Sequence, residues 1–180
     1  MRIFIALDIP QEIRQRMSEY MERARSFAPE ARWARVEGLH VTLKFVGEAG
    51  DALVQQIKTA LSTIKATPLE VRFENVGFFP NAKAARVFWI GVSGGEPLEQ
   101  LAATVDAALE KLGIAREAKA YHPHLTLARA SSHPLRELAP LLNEPAPHFG
   151  TMTAREFFLY QSQPQKGGSK YTKLERLRLD

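Results

Sequence analysis

The 180-residue sequence contains no cysteine. That excludes a disulfide framework, a thiol nucleophile and any zinc site built on sulfur, and it permits a reducing compartment. No segment approaches the ~20 consecutive apolar residues of a membrane span. The apolar opening Ile3–Leu7 is too short for a signal sequence and is cut by Asp8. The expectation is a cytoplasmic, unprocessed protein with no membrane association. The imbalance between basic and acidic residues is also small. Lys and Arg exceed Asp and Glu by only 24 to 20, a net +4 that suits an anionic ligand without requiring one.

What the chain does contain is enough apolar material, 45%, to bury a sizeable core. Arg2–Asp8 reads as a buried strand, and Pro10 then opens a helix over residues 11–26 with Ile13, Met17, Tyr20, Met21 and Ala24 on one stripe. Trp33 lies in a short extended stretch. Residues 39–46 form a strand closed by Gly47, and Asp51 caps a second helix. Residues 69–79 and 86–92 read as antiparallel neighbours, followed by a third helix from Pro97 to Leu112 that Gly113 stops. Then come a strand around Tyr121–Ala128, a short helix after Pro134, one strand from about Met152 to Gln161, the Gly167-Gly168 turn and a last strand from Lys170.

Each half of the sequence thus carries two helices, several strands and one His-bearing strand. Strands and helices do not alternate strictly, which argues against a parallel doubly wound sheet. The expected fold class is α+β: a single bilobal domain spanning residues 1–180, with two pseudo-symmetric lobes, each an antiparallel sheet with two helices, facing a central cleft.

The chemistry rests on a repeat. His40-Val41-Thr42-Leu43 and His124-Leu125-Thr126-Leu127 share the pattern His-apolar-Thr-Leu. Two such segments among five histidines arise by chance in roughly one sequence in a thousand. On a strand of period two, His and Thr face one side while the apolar residues face the core. If a pseudo-twofold relates the halves, two imidazoles and two hydroxyls surround one site. Phosphodiester cleavage needs one group to take a proton from the nucleophile and another to protonate the leaving oxygen. Histidine does either near neutrality, and threonine hydroxyls can donate to the non-bridging oxygens.

Read singly, either segment is an ordinary strand with a polar face, and the duplication is what favours a site. Lys44 shares the parity of His40 and Thr42 and reads as a solvated strand-end lysine with a possible place in the cleft. A metal site from His40, His122 and His124 is conceivable but lacks nearby carboxylates. His133 and His148 read as loop residues. Lys166–Lys170 reads as a hairpin turn with basic flanks, since it lacks the strand–loop–helix setting of a nucleotide-binding loop.

The two motifs, together with Arg2–Pro10, His40–Gly47, Arg86–Val92, Phe158–Ser162 and Tyr171, resemble the two-histidine phosphoesterases. Within them the sequence is similar to the LigT-like RNA 2′,3′-cyclic phosphodiesterases, historically called 2′-5′ RNA ligases. The resemblance implies a bilobal fold, no cofactor and no metal, with RNA bearing 2′,3′-cyclic phosphate ends, or cyclic nucleotides, as substrate; a monomer is the expected form, although no sequence feature speaks to the oligomeric state. It further implies His124 as the base, His40 as the acid, Phe45 against the nucleobase and Arg129 against the phosphate. Phe45 and Arg129 each lie five residues past their histidine. An unbroken strand turns both away from the catalytic face, so either the strands bulge or these residues act from the rim. A core aromatic at Phe45 and a surface ion pair at Arg129 remain open. Reversible 2′-5′ joining of RNA ends and a non-catalytic RNA- or nucleotide-binding module are the alternatives to hydrolysis.

Overall fold

The structure is a computed structural model describing residues 1–180. In chain order the elements are β1 (Arg2–Leu7), α1 (Gln11–Arg25), β2 (Arg32–Trp33), a 3-10 turn (Val36–Gly38), β3 (Val41–Glu48), α2 (Asp51–Ser62), β4 (Leu69–Phe79) and β5 (Val87–Ser93). They continue with α3 (Gly95–Glu110), β6 (His124–Arg129), a 3-10 helix (Arg136–Asn143), β7 (His148–Ala154), β8 (Glu156–Gln165) and β9 (Gly168–Arg178). No helix is long and apolar enough to cross a membrane.

Two antiparallel sheets result, in the orders β3-β1-β8-β9 and β2-β6-β5-β4-β7. With β2 set aside, each sheet places its His-motif strand beside the strand that precedes it through a helix: β1–α1–β3 in one and β5–α3–β6 in the other. This is the expected pseudo-symmetric α+β arrangement. The sheets are not, however, the two halves of the chain. The first draws on both ends of the sequence, and the second takes the middle together with β2. The helices are exchanged as well: α1 packs against β7 of the second sheet, whereas α3 packs on β3 of the first.

Local composition explains the elements. In α1, Ile13, Met17, Met21 and Ala24 recur at helical spacing and are buried, and in α2 Val54, Ile57 and Leu61 do the same. β1 is apolar from Ile3 to Leu7 because that stretch is covered on both faces. Ile3, Ile5 and Leu7 join a cluster of 42 buried residues that runs between the sheets, while Phe4 and Ala6 join Phe158 and Tyr160 on the opposite face. Each Ile, Leu or Phe side chain among them, fully buried, contributes roughly 1.5–3 kcal/mol.

Some expected elements shift. Residues 152–161, read as one strand, are two: β7 pairs with β4 in the second sheet, and past Arg155 β8 pairs with β1 in the first. A continuous run of strand-forming residues gives no local sign that its hydrogen-bond partners change sheets. His148 begins β7 instead of lying in a loop. Gly50 caps α2, with Asp51 in its first turn.

Candidate active site

β3 and β6 deliver their histidines to one cavity of about 890 Å³, lined by His40, Thr42, Tyr121, His122, His124, Thr126 and Arg129 among others. The polar residues of both motifs therefore converge. The two imidazoles are anchored alike. His40 Nδ1 lies 3.1 Å from the carbonyl of Gly38, and His124 Nδ1 lies 2.9 Å from the carbonyl of His122. A carbonyl only accepts, so each Nδ1 carries the proton, and in the neutral ring Nε2 holds a free lone pair. Neither Thr42 nor Thr126 hydroxyl donates to a protein group. Both remain available to a ligand.

The surroundings of the two histidines differ. His40 sits among Phe4, Tyr160 and Tyr171, with ring centroids 5.7, 4.5 and 5.2 Å away. Burial, then the Arg14 guanidinium and the Lys173 ammonium, push its imidazole down to about 4, against the Gly38 hydrogen bond and the Asp8 carboxylate. Asp8 is itself held by Arg14 at 2.8 Å and Lys173 at 2.7 Å. His124 is exposed and meets the edge of Phe79 at 5.2 Å. Phe79 lies against Trp89, whose ring crosses Gly77 so closely that a Cβ there would fall 2.3 Å from Trp89 Cζ2. Only glycine fits at that crossing.

The odd five-residue offset is resolved by two matching bulges. Along β3, Ala6 pairs with Thr42 and Ile5 with Lys44, leaving Leu43 unpaired. Along β6, Trp89 pairs with Thr126 and Phe88 with Ala128, leaving Leu127 unpaired. Each extra residue reverses the side-chain parity beyond it. Phe45 and Arg129 therefore return to the outer face, both exposed, while Lys44 and Ala128 turn inward and are buried. Arg129 lines the main cavity. Phe45, 49% exposed, lines an adjoining hollow of about 400 Å³ that shares His40, Thr42 and Tyr171 with it, and the Arg2 guanidinium lies 5.3 Å from its ring centre. Phe45 is thus not a core aromatic, and Arg129 makes no ion pair with a carboxylate.

The same bulge corrects the expectation for Lys44. Instead of reaching solvent or the cleft, its ammonium is buried 2.7 Å from Asp106 of α3 and donates to the Ala115 carbonyl, with Glu117 3.4 Å away. This ties β3 to the segment leading into β6. From that segment Tyr121 reaches across to donate to the Thr42 carbonyl at 2.8 Å, and burial keeps its hydroxyl protonated well beyond the usual tyrosine range. No motif or periodicity assigned a role to Tyr121, Phe4 or Phe79. Opposite parity to the core residues Ile3 and Ile5 was the available sign for Phe4. No group of three or more His, Asp or Glu side chains is arranged to hold a metal ion.

Comparison with known proteins places this geometry. An RNA 2′,3′-cyclic phosphodiesterase of Archaeoglobus fulgidus is 36% identical over 164 residues, covering 90% of this chain and 91% of that one. The Escherichia coli protein of the same name is 30% identical over 178 residues, covering 97% and 94%. Among solved structures, E. coli LigT complexed with 3′-AMP superposes with a TM-score of 0.80 at 28% identity, covering 99% of this chain and 97% of that chain. Residues 9–165 match the family model of the 2′-5′ RNA ligase superfamily, and the chain belongs to that superfamily.

Proposed function

We propose that the protein hydrolyses RNA 2′,3′-cyclic phosphate ends to 2′-phosphates by acid–base catalysis between His40 and His124. The observation that carries the reading is the convergence on one cavity of two imidazoles, each anchored through Nδ1 to the carbonyl two residues earlier, so that both Nε2 atoms are free for proton transfer. The names of the A. fulgidus and E. coli relatives support the substrate class, and the 3′-AMP complex of LigT supports nucleotide binding by this fold.

In this mechanism His124 Nε2 takes a proton from water, whose oxygen attacks phosphorus in line with the bond to O3′. That bond breaks, and His40 Nε2–H gives O3′ its proton, leaving a 2′-phosphate and a 3′-hydroxyl. Thr42 and Thr126 donate to the non-bridging oxygens, and Arg129 balances their charge. Phe45 offers its face to the base. Burial, Arg14 and Lys173 favour the neutral form of His40, so the acid form is created as the substrate binds. The phosphate anion supplies the cause, since a negative charge beside an imidazole favours its protonated state. The superfamily name includes ligation, and microscopic reversibility lets the same pair join a cyclic end to a 5′-hydroxyl.

The test is an oligonucleotide with a 2′,3′-cyclic end, its products resolved as 2′- and 3′-phosphates, with and without a 5′-hydroxyl acceptor. A 2′-phosphate product that disappears in His40→Ala and His124→Ala, and persists in EDTA, is expected. Full turnover in either variant, or a 3′-phosphate product, overturns the mechanism.

A further inference from the structure

We infer that the cleft contains a second phosphate subsite, built by Arg35 on the cavity wall that also carries Arg129, which receives the phosphodiester on the 5′ side of the terminal nucleotide and makes the protein selective for cyclic-ended RNA chains over single cyclic nucleosides. The inference rests on the proposed function above and names the substrate more closely.

The first argument is space. With the base against Phe45 in the 400 Å³ hollow and the cyclic phosphate at the histidines, most of the 890 Å³ cavity remains. Drug-sized ligands fill roughly 300–1,000 Å³, so this volume suits more than one nucleotide. Only six of its nineteen lining residues are hydrophobic, which fits a polar chain. The second argument is asymmetry. The two sheets match strand for strand except for β2, which is added beside β6 alone. Pairing continues past β2, with the Ala34 N–H donating to the Leu127 carbonyl at 2.8 Å. The extension carries Trp33, Ala34 and Arg35 into the cavity wall and has no counterpart beside β3. Phe45 lines the hollow but not the cavity, and Arg35 the cavity but not the hollow. Phe45 and Arg35 thus line different parts of the site, with the His40 and Thr42 side chains common to both, so a base at Phe45 leaves Arg35 for the chain that continues from the terminal nucleotide.

The third argument is charge. Arg35 and Arg129 are the cations of the cavity wall besides its histidines, and neither is ion-paired, while Glu37 is the one carboxylate there. Arg129 stands directly opposite Arg32 across the β2–β6 pair, an arrangement of like charges that an anion between or beside them relieves. Arg32 turns its guanidinium to the Ala130 carbonyl at 3.3 Å, leaving Arg129 free. The position of Arg35 is shaped by the hairpin between β8 and β9. A Cβ on Gly168 would lie 2.9 Å from Arg35 Cδ, so glycine there lets the arginine stem lie flat on the turn at the cavity edge. The basic-flanked glycine turn is thus a support for Arg35.

The experiment compares kcat/KM for uridine 2′,3′-cyclic phosphate, which has no 5′ phosphate, with that for a UpU dinucleotide ending in the cyclic phosphate, in the wild type, Arg35→Gln and Arg35→Lys. Charge-assisted contacts to phosphate change binding by about ten- to a hundredfold. The wild type is expected to prefer the dinucleotide by at least tenfold. In R35Q that ratio is expected to collapse toward one, with R35K intermediate. The salt dependence of dinucleotide turnover should also flatten in R35Q, its log–log slope falling by about 0.7 for one lost phosphate contact. An unchanged ratio in R35Q, or a wild type with no preference, overturns the subsite. Failure of the wild type to turn over either compound refutes the proposed function instead.

Discussion

Replacing His40 with glutamine should remove a specific component of the protein's pH-dependent stability. In the folded chain burial, Arg14 and Lys173 hold this imidazole near 4, whereas in the unfolded chain it returns to about 6.5. Between those values the unfolded chain binds a proton that the folded chain refuses, so stability is complete above about 6.5 and falls as pH drops toward 4. The shift is worth ~3 kcal/mol by pH 4. Urea unfolding followed by tryptophan fluorescence at pH 7 and pH 4 gives the loss for the wild type and for H40Q. The other titrating groups are common to both, so the wild type should lose about 3 kcal/mol more than the variant. Equal losses, or a His40 NMR resonance titrating near 6.5, would refute the reasoning. Binding of inorganic phosphate or a 2′-nucleotide near neutral pH should raise the His40 titration and take up a proton. Calorimetry in two buffers of different ionisation enthalpy reads that uptake directly.

Three further outcomes test other parts of the structure. Lys44→Met strands Asp106 beside Arg116, 3.5 Å away, and the Glu117 N–H, and should cost about 3 kcal/mol in chemical denaturation. The double variant with Asp106→Leu should recover much of that loss, and a simple sum of the two single effects would show that the pair is not coupled. Burial works to raise the Asp106 carboxyl, but Lys44, the Glu117 N–H and Arg116 outweigh it and leave it below the carboxylate range, so its stabilisation persists above about pH 4 and is lost on further acidification. Thr42→Val and Thr126→Val should each lower kcat by about 10²–10³ without changing the thermal midpoint, because neither hydroxyl supports the fold. A drop in stability equal to the drop in rate would show a structural role. Gly77→Ala should displace Trp89, cost about 1–3 kcal/mol and reduce kcat through Phe79 and His124, and unchanged fluorescence with unchanged kcat would refute that coupling.

Much of the fold and of the candidate site was legible in the sequence, and the exceptions have a common physical origin. Helical stripes such as Ile13, Met17 and Met21, and strand runs such as Leu69–Phe79, are local patterns, and they match the observed elements closely. The duplicated His-apolar-Thr-Leu segment likewise predicted that His40 faces with Thr42 and His124 with Thr126, since parity within three residues needs no distant partner, and the pseudo-twofold expected between the halves brings both pairs to one cavity. The resemblance to two-histidine phosphoesterases agrees with the superfamily match and with the pseudo-symmetric sheets.

The sequence by itself determined the two motif strands, the periodicity of the helices and the family. Only the tertiary structure decided what depends on neighbouring strands. The bulges at Leu43 and Leu127 exist because β1 and β5 fix a register that the extra residue must escape, and one skipped residue sends Phe45 and Arg129 outward and Lys44 into the core. The crossing at Arg155, the exchange of α1 and α3 between the sheets, and the aromatic setting that keeps His40 neutral arise in the same way, from pairings between residues far apart in the chain. Local propensity makes a strand, but hydrogen bonds to a distant partner decide its sheet and which of its faces meets the cleft.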